Sequence, residues 1–64
     1  MYNIKAERIR RGIKQEEFAN KVGITPQHLC RIEKGKSFPR KKLMLRIAEA
    51  LDSDVQTLFF SEEE

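Results

Sequence analysis

Gln27, Arg31 and Lys34 recur within the stretch GITPQHLCRIEKG, residues 23–35, and their chemistry is specific. A side-chain amide can pair with adenine through two hydrogen bonds, and a guanidinium can do the same with guanine. Lys34, Lys36, Arg40, Lys41 and Lys42 add a run of cations in and after this stretch. They suit phosphates, which set affinity and register but carry no sequence information. His28 and Cys30 invite a different reading, a Cys–His catalytic pair or a metal site. At 100° per residue they lie about 160° apart on a helix, so they point away from each other. The chain holds one histidine and one cysteine in all. That excludes an internal disulfide and a multi-Cys metal cluster, and a nucleophile would still need a base within reach. His28 is therefore expected to flank a phosphate. Cys30 is expected to be a small rim thiol, whose oxidation beside DNA would disturb docking. No catalytic set, metal or cofactor is expected, and the reading is not that of an enzyme.

These groups need an element that holds them away from the protein interior. Thr25 is a good N-cap, Pro26 fits the first helical position, and Gly35 marks the end, so a helix is expected between them. On its wheel Leu29 and Ile32 point inward, Gln27 and Lys34 lie opposite, and Arg31 flanks them. Exposed helix faces commonly carry Gln, Arg and Lys, so this helix alone does not decide the matter. The connection before it adds weight. Val22-Gly23-Ile24-Thr25 joins two short helices through a glycine, as a helix-turn-helix requires.

The rest of the chain reads as helical, with no alternating apolar pattern of strand length. A first helix runs from an Asn3 cap to about Arg11, and its Ile4 and Ile9 lie about 140° apart. A second covers Gln15 to Val22, with Phe18, Ala19 and Val22 inward and Lys14 as a weak cap. A fourth spans Arg40 to Leu51, with Met44, Ile47, Ala48 and Leu51 on one face. Ser53 and Gln56 form a capping-box pattern that opens a fifth helix, ending near Phe60. Leu45 and Phe60 are left outside the apolar faces and are candidates for a subunit seam. The expected organisation is one DNA-binding domain, residues 1–60, and a frayed acidic tail, residues 61–64, with no room for a separate sensor domain.

Charge is divided along the chain. All thirteen Lys and Arg lie in residues 1–46 with four acids, whereas residues 47–64 hold six acids and no Lys or Arg. Such polarity suits one end facing a polyanion. No apolar run of membrane-spanning length and no signal pattern is present, and the lone cysteine suits a reducing compartment, so a cytoplasmic location is expected.

Taken together, KQEEFANKVGITPQHLCRIEKGKSFP followed by LMLRIAEAL resembles the Xre/Cro-type helix-turn-helix regulators with the lambda-repressor-like fold. The resemblance covers about Ile4 to Phe59. It rests on Arg8, Gln15, Phe18-Ala19, Gly23, Leu29, Ile32-Glu33, Gly35, Pro39, Ile47-Ala48 and Leu51 at their spacings. It implies an all-α, five-helix domain that binds double-stranded DNA as a symmetric homodimer, with the third helix in the major groove of a near-palindromic operator. Pro26, Gln27 and Arg31 fall at its base-facing positions. Gln15 matches its phosphate-bonding residue, and Lys36, Arg40 and Lys42 match its backbone or minor-groove contacts; Thr25, His28, Lys34 and Lys41 join the expected phosphate-contacting set on their own chemistry and position. Arg8 and Glu33 match a partly buried ion pair. Four positions depart from the pattern. Lys14 replaces a Ser or Thr cap, Pro26 can offer only apolar contact such as to a thymine methyl, Cys30 is unusual near DNA, and Lys41 replaces a frequently apolar residue. The implied function is a repressor-like transcriptional regulator. The alternative is an antitoxin or other partner-neutralising module that also binds DNA.

Overall fold

The computed structural model describes residues 2–60. Among these residues the secondary structure is helical throughout: α1 Ile4–Arg10, α2 Gln15–Val22, α3 Pro26–Glu33, α4 Lys41–Ala50 and α5 Val55–Phe59. The tail at residues 61–64 lies outside the described residues. Each helix is too short to persist alone in water, so an apolar stripe on each must be buried against the others. Phe18, Ile4, Leu29, Ile32, Ile47, Leu51 and Leu58 are fully buried and supply that core from all five helices or their edges. The expected inner faces of α2 and α4 are all buried, while Ile9 of α1 is exposed and leaves Ile4 as that helix's anchor.

Helix ends follow a shared physical rule. Four of the helices close with a backbone bond from the residue after a left-handed one to the carbonyl five positions back. Ile13 N–H donates to Arg8 O, Ile24 to Ala19 O, Lys36 to Arg31 O and Ser53 to Ala48 O, at 2.8–3.1 Å. Such closures satisfy carbonyls that a helix end leaves unpaired. At the α2–α3 turn the left-handed residue is Gly23 (φ 83°), which lets the two helices meet within three intervening residues. At the end of α4 it is Asp52 (φ 54°), a non-glycine in a conformation that L-residues disfavour.

Several boundaries differ from the sequence reading. α4 begins at Lys41 with Arg40 as its cap, and ends with Leu51 outside it. α3 stops at Glu33, with Lys34 as C-cap before Gly35. The Ser53–Gln56 box does not form. Ser53 N–H closes α4 instead, and Asp54 becomes the α5 cap, its Oδ1 accepting from Thr57 N–H at 2.7 Å. Hydrogen bonding from the Thr57 side chain, and then from its N–H, holds the Asp54 carboxyl below its usual value. Asn3 makes no side-chain cap to α1. Its Nδ2 donates to Thr57 O and its N–H to Leu58 O, both at 3.0 Å, so it clasps the start of α1 to α5. Tyr2 reinforces this clasp, packing edge-on against Phe59 with ring centroids 4.9 Å apart.

Candidate nucleic-acid interface

α3 is held at three points. Thr25 Oγ1 accepts from His28 N–H at 3.1 Å and Pro26 occupies the first helical turn, which fixes the entry. Leu29 and Ile32, both fully buried, pin its inner side. Glu33, at the C-terminal end, anchors it to two other helices. Its Oε2 accepts from Arg8 Nε at 2.7 Å; its Oε1 accepts from Arg8 Nη2 at 3.3 Å and from Gln15 Nε2 at 3.0 Å. Arg8 Nη1 also donates to Ile13 O at 2.8 Å. Arg8 and Glu33 are each only 7% exposed, yet no buried polar side-chain atom among the described residues lacks a partner. A buried ion pair is tolerable only when satisfied in this way.

The opposite side of α3 is open. Gln27, Arg31 and Lys34 are exposed, and Pro26, His28 and Cys30 are half-buried at its margins. Lys36, Arg40, Lys41 and Lys42 are exposed along the following loop and the start of α4. Arg31 and these lysines and arginine form no ion pair among the described residues; the ion pairs there are Arg8–Glu33 and those of Arg10 and Arg11 with Glu7. The pairs with Arg10 and Arg11 hold the Glu7 carboxyl below its usual value. Gln15 is half-buried, one amide N–H committed to Glu33 and the other left over.

Six of the expected contact residues border three clefts. His28, Arg40 and Lys42 border a cleft of about 350 Å³ between the α2–α3 turn and α4. Lys34 and Gln15 border a second, on the other side of α3, with Cys30 and Glu33. His28 and Cys30 therefore open onto different clefts. Lys41 turns toward a third, apolar groove lined also by Met44, Val55 and Phe60. Two cations escaped the sequence reading. Arg46 borders the first cleft, and its Nη1 lies 3.6 Å from where a side chain on Gly23 would begin. Lys5 borders the second. Arg46 sits opposite the buried face of α4, so the wheel carried a signal for it; Lys5 reaches α3 only through tertiary packing. Phe38, 65% exposed, was also missed.

A short rod presenting amide and guanidinium groups, braced by a second helix across a glycine turn and bordered by cations, is the arrangement by which a helix-turn-helix meets DNA. The sequence profile of the family described as Helix-turn-helix matches residues 4–58. Among curated proteins, the chain is 38% identical over 61 residues to the uncharacterized HTH-type transcriptional regulator YgzD of Bacillus subtilis (strain 168), covering 95% of this chain and 92% of that one. An uncharacterized HTH-type transcriptional regulator of Archaeoglobus fulgidus is 34% identical over 61 residues, covering 95% and 87%. Among solved structures, a chain of the SinR protein/SinI protein complex superposes with a TM-score of 0.81 at 29% identity, covering 89% of this chain and 56% of that one. The clp gene regulator ClgR of Corynebacterium glutamicum superposes with a TM-score of 0.78 at 23% identity, covering 81% and 55%, a likeness of fold. The chain thus spans about half the length of those two structures' chains. With fold, turn and profile in agreement, the chain belongs to the helix-turn-helix family of DNA-binding transcriptional regulators, in its Xre/Cro, lambda-repressor-like branch.

Proposed function

We propose that this regulator is a cytoplasmic, sequence-specific repressor-like protein that reads a near-palindromic operator as a homodimer. The observation that carries the reading is the exposure of Gln27 and Arg31 on a helix whose other side is pinned by Leu29 and Ile32. Inserted in the major groove, Arg31 pairs with a guanine edge and Gln27 with an adenine edge, while Pro26 meets a thymine methyl. Thr25, His28, Lys34, Lys36, Arg40, Lys41 and Lys42 take phosphates, as does the second amide N–H of Gln15. The sequence around α4 supports this use of its start. A cap residue without an acceptor, Arg40, followed by Lys41 and Lys42 in the first turn, opposes the helix dipole, and a polyanion relieves that conflict. The domain is residues 1–60, with the acidic segment 61–64 as a tail.

Selection of bound sites from a random DNA pool tests the reading. The expected product is a pair of inverted half-sites whose centres are about one helical turn, roughly 34 Å, apart. Recovery of no enriched motif would count against it. The binding of the selected sites should also weaken steeply with salt.

A second reading, a partner-neutralising or antitoxin-like module that also binds DNA, is favoured by the apolar groove beside Phe60 and by the likeness to a chain solved in a complex of two proteins. A pull-down that returns one stoichiometric protein partner would select it.

A further inference from the structure

The cleft between the α2–α3 turn, the loop before α4 and α4 itself has a composition that phosphate contact does not call for. Its floor is hydrocarbon, the half-buried Ile24 and Leu43 and the buried Pro39, edged by the largely exposed ring of Phe38. Its rim is cationic: Arg40, Lys42 and Arg46, with His28 at one end. No carboxylate lines it, and among the described residues none lies within ion-pair distance of those three cations. Its volume, about 350 Å³, falls at the lower end of the range for small-molecule sites. A phosphodiester strand crossing the rim would engage the cations and leave the floor against hydrated oxygens. A compact hydrocarbon body with one anionic group satisfies both halves at once.

We infer that this cleft binds an amphiphilic monoanion, a flat aromatic or branched aliphatic body carrying a carboxylate. The body rests on Phe38, Ile24 and Leu43, where aromatic and aliphatic faces give up water. The carboxylate faces Arg46 and Arg40, whose guanidinium groups can take it with two parallel hydrogen bonds. Occupancy has a regulatory consequence, and that part rests on the proposed DNA contacts. Arg40 cannot serve the carboxylate and the operator backbone together, and the body fills the cleft that Lys42 and His28 border, so the bound anion lowers operator affinity.

The test uses the whole chain and 2-naphthoate as the probe, followed by amide NMR shifts and by fluorescence anisotropy of labelled operator. Saturable, one-site shifts centred on Ile24, Leu43 and Arg46 are expected. Arg46→Ala, at an exposed position, should keep the parent's circular dichroism and bind the probe about tenfold more weakly. The uncharged 2-naphthylmethanol should bind the parent weakly, by a similar factor. 2-Naphthoate at about the parent's dissociation constant should raise the apparent Kd for operator about twofold in the parent and leave Arg46→Ala little affected at the same concentration. Shifts that fail to saturate, shifts centred on Met44 and Phe60, or equal binding of the alcohol would overturn the site. Binding at the cleft without any loss of operator affinity would overturn the regulatory role. The two readings fail separately. A parent that binds operator but not naphthoate sinks the cleft alone, and one that binds naphthoate in the cleft but no DNA sinks the DNA reading alone.

Discussion

Arg31 and Glu33 lie two residues apart on α3 and face opposite demands. Arg31 is exposed and has no carboxylate partner among the described residues, so its removal should leave the fold intact and change only recognition. Arg31→Ala is expected to lose about 1–3 kcal/mol of discrimination at one base pair in each half-site. Titration of single-base operator variants against parent and mutant measures it, and unchanged discrimination at every position would remove Arg31 from base reading. Glu33 is buried and joins α3 to α1 and α2 through Arg8 and Gln15. Glu33→Ala leaves the Arg8 charge buried with Ile13 O as its remaining acceptor. Breaking one side of such a pair destabilises by about 3–5 kcal/mol, a large fraction of the stability of a small domain. The melting curve should show a chain partly unfolded near physiological temperature; a parent-like midpoint would mean the pair is dispensable. At this scale the sequence was informative where chemistry and spacing coincide. Leu29 and Ile32 are far enough from Gln27 and Arg31 on the wheel to divide the helix into two sides. The Arg8–Glu33 contact was accessible only through the family pattern, because 25 residues separate partners that local periodicity cannot connect.

α4 shows what an element gives up for its role. Its first turn carries Lys41 and Lys42 at the positive end of the helix dipole, with no acid there to offset them. Lys42→Glu should therefore stabilise the folded chain by roughly 0.3–1 kcal/mol while weakening binding to every DNA sequence and flattening the salt dependence. Chemical denaturation beside DNA titration at several salt concentrations reads both, and a variant that lost stability along with affinity would contradict the account. The other end of α4 carries a residue whose backbone is in the wrong region for its type. Asp52→Gly is expected to stabilise by about 0.5–1 kcal/mol, the relief of the left-handed strain less the extra freedom that glycine gains on unfolding; an unchanged or lower midpoint would mean Asp52 holds something else in place. The same residue explains why the start of α5 was misread. Ser53–Gln56 and Asp54–Thr57 both have capping spacing, and only the left-handed turn at Asp52, which commits Ser53 N–H to Ala48 O, selects the second. α2 was legible to its last residue because the acid-rich first turn and Gly23 bound it unambiguously. Asn3 was legible as polar and near a helix start, but its use as a clasp depends on α5 folding back beside it. Lys5 joins its cleft for the same reason, a long side chain whose neighbours come from elsewhere in the chain.

The whole molecule is polar in charge, and two of its exposed apolar residues, Leu45 and Phe60, are outside the set expected to touch DNA. Leu45 and Phe60 are 51% and 52% exposed, Leu45 at the end of the basic segment and Phe60 in the acidic one, and Phe60 lines an apolar groove with Met44 and Val55. A monomer on DNA would present one α3 and contact one half-site. Two monomers joined through Leu45 and Phe60 would present two α3 helices to two half-sites, and the second contact would then be made at high effective concentration. Linkage of that kind raises affinity by about 10²–10⁴ without altering either contact. Leu45→Asp combined with Phe60→Asp isolates the effect, because both positions are exposed and surface changes usually alter stability by no more than about 0.5 kcal/mol. The double variant should keep its helical content and melting midpoint, sediment as a monomer where the parent sediments as a dimer, and bind a lone half-site as the parent does. Its affinity for the inverted repeat should fall by about a hundredfold or more. A variant that still sediments as a dimer would move the seam elsewhere on the surface. One that is monomeric yet binds the repeat as tightly as the parent would mean that a single α3, gripped by the cations around it, suffices for recognition and that symmetry has no part in it.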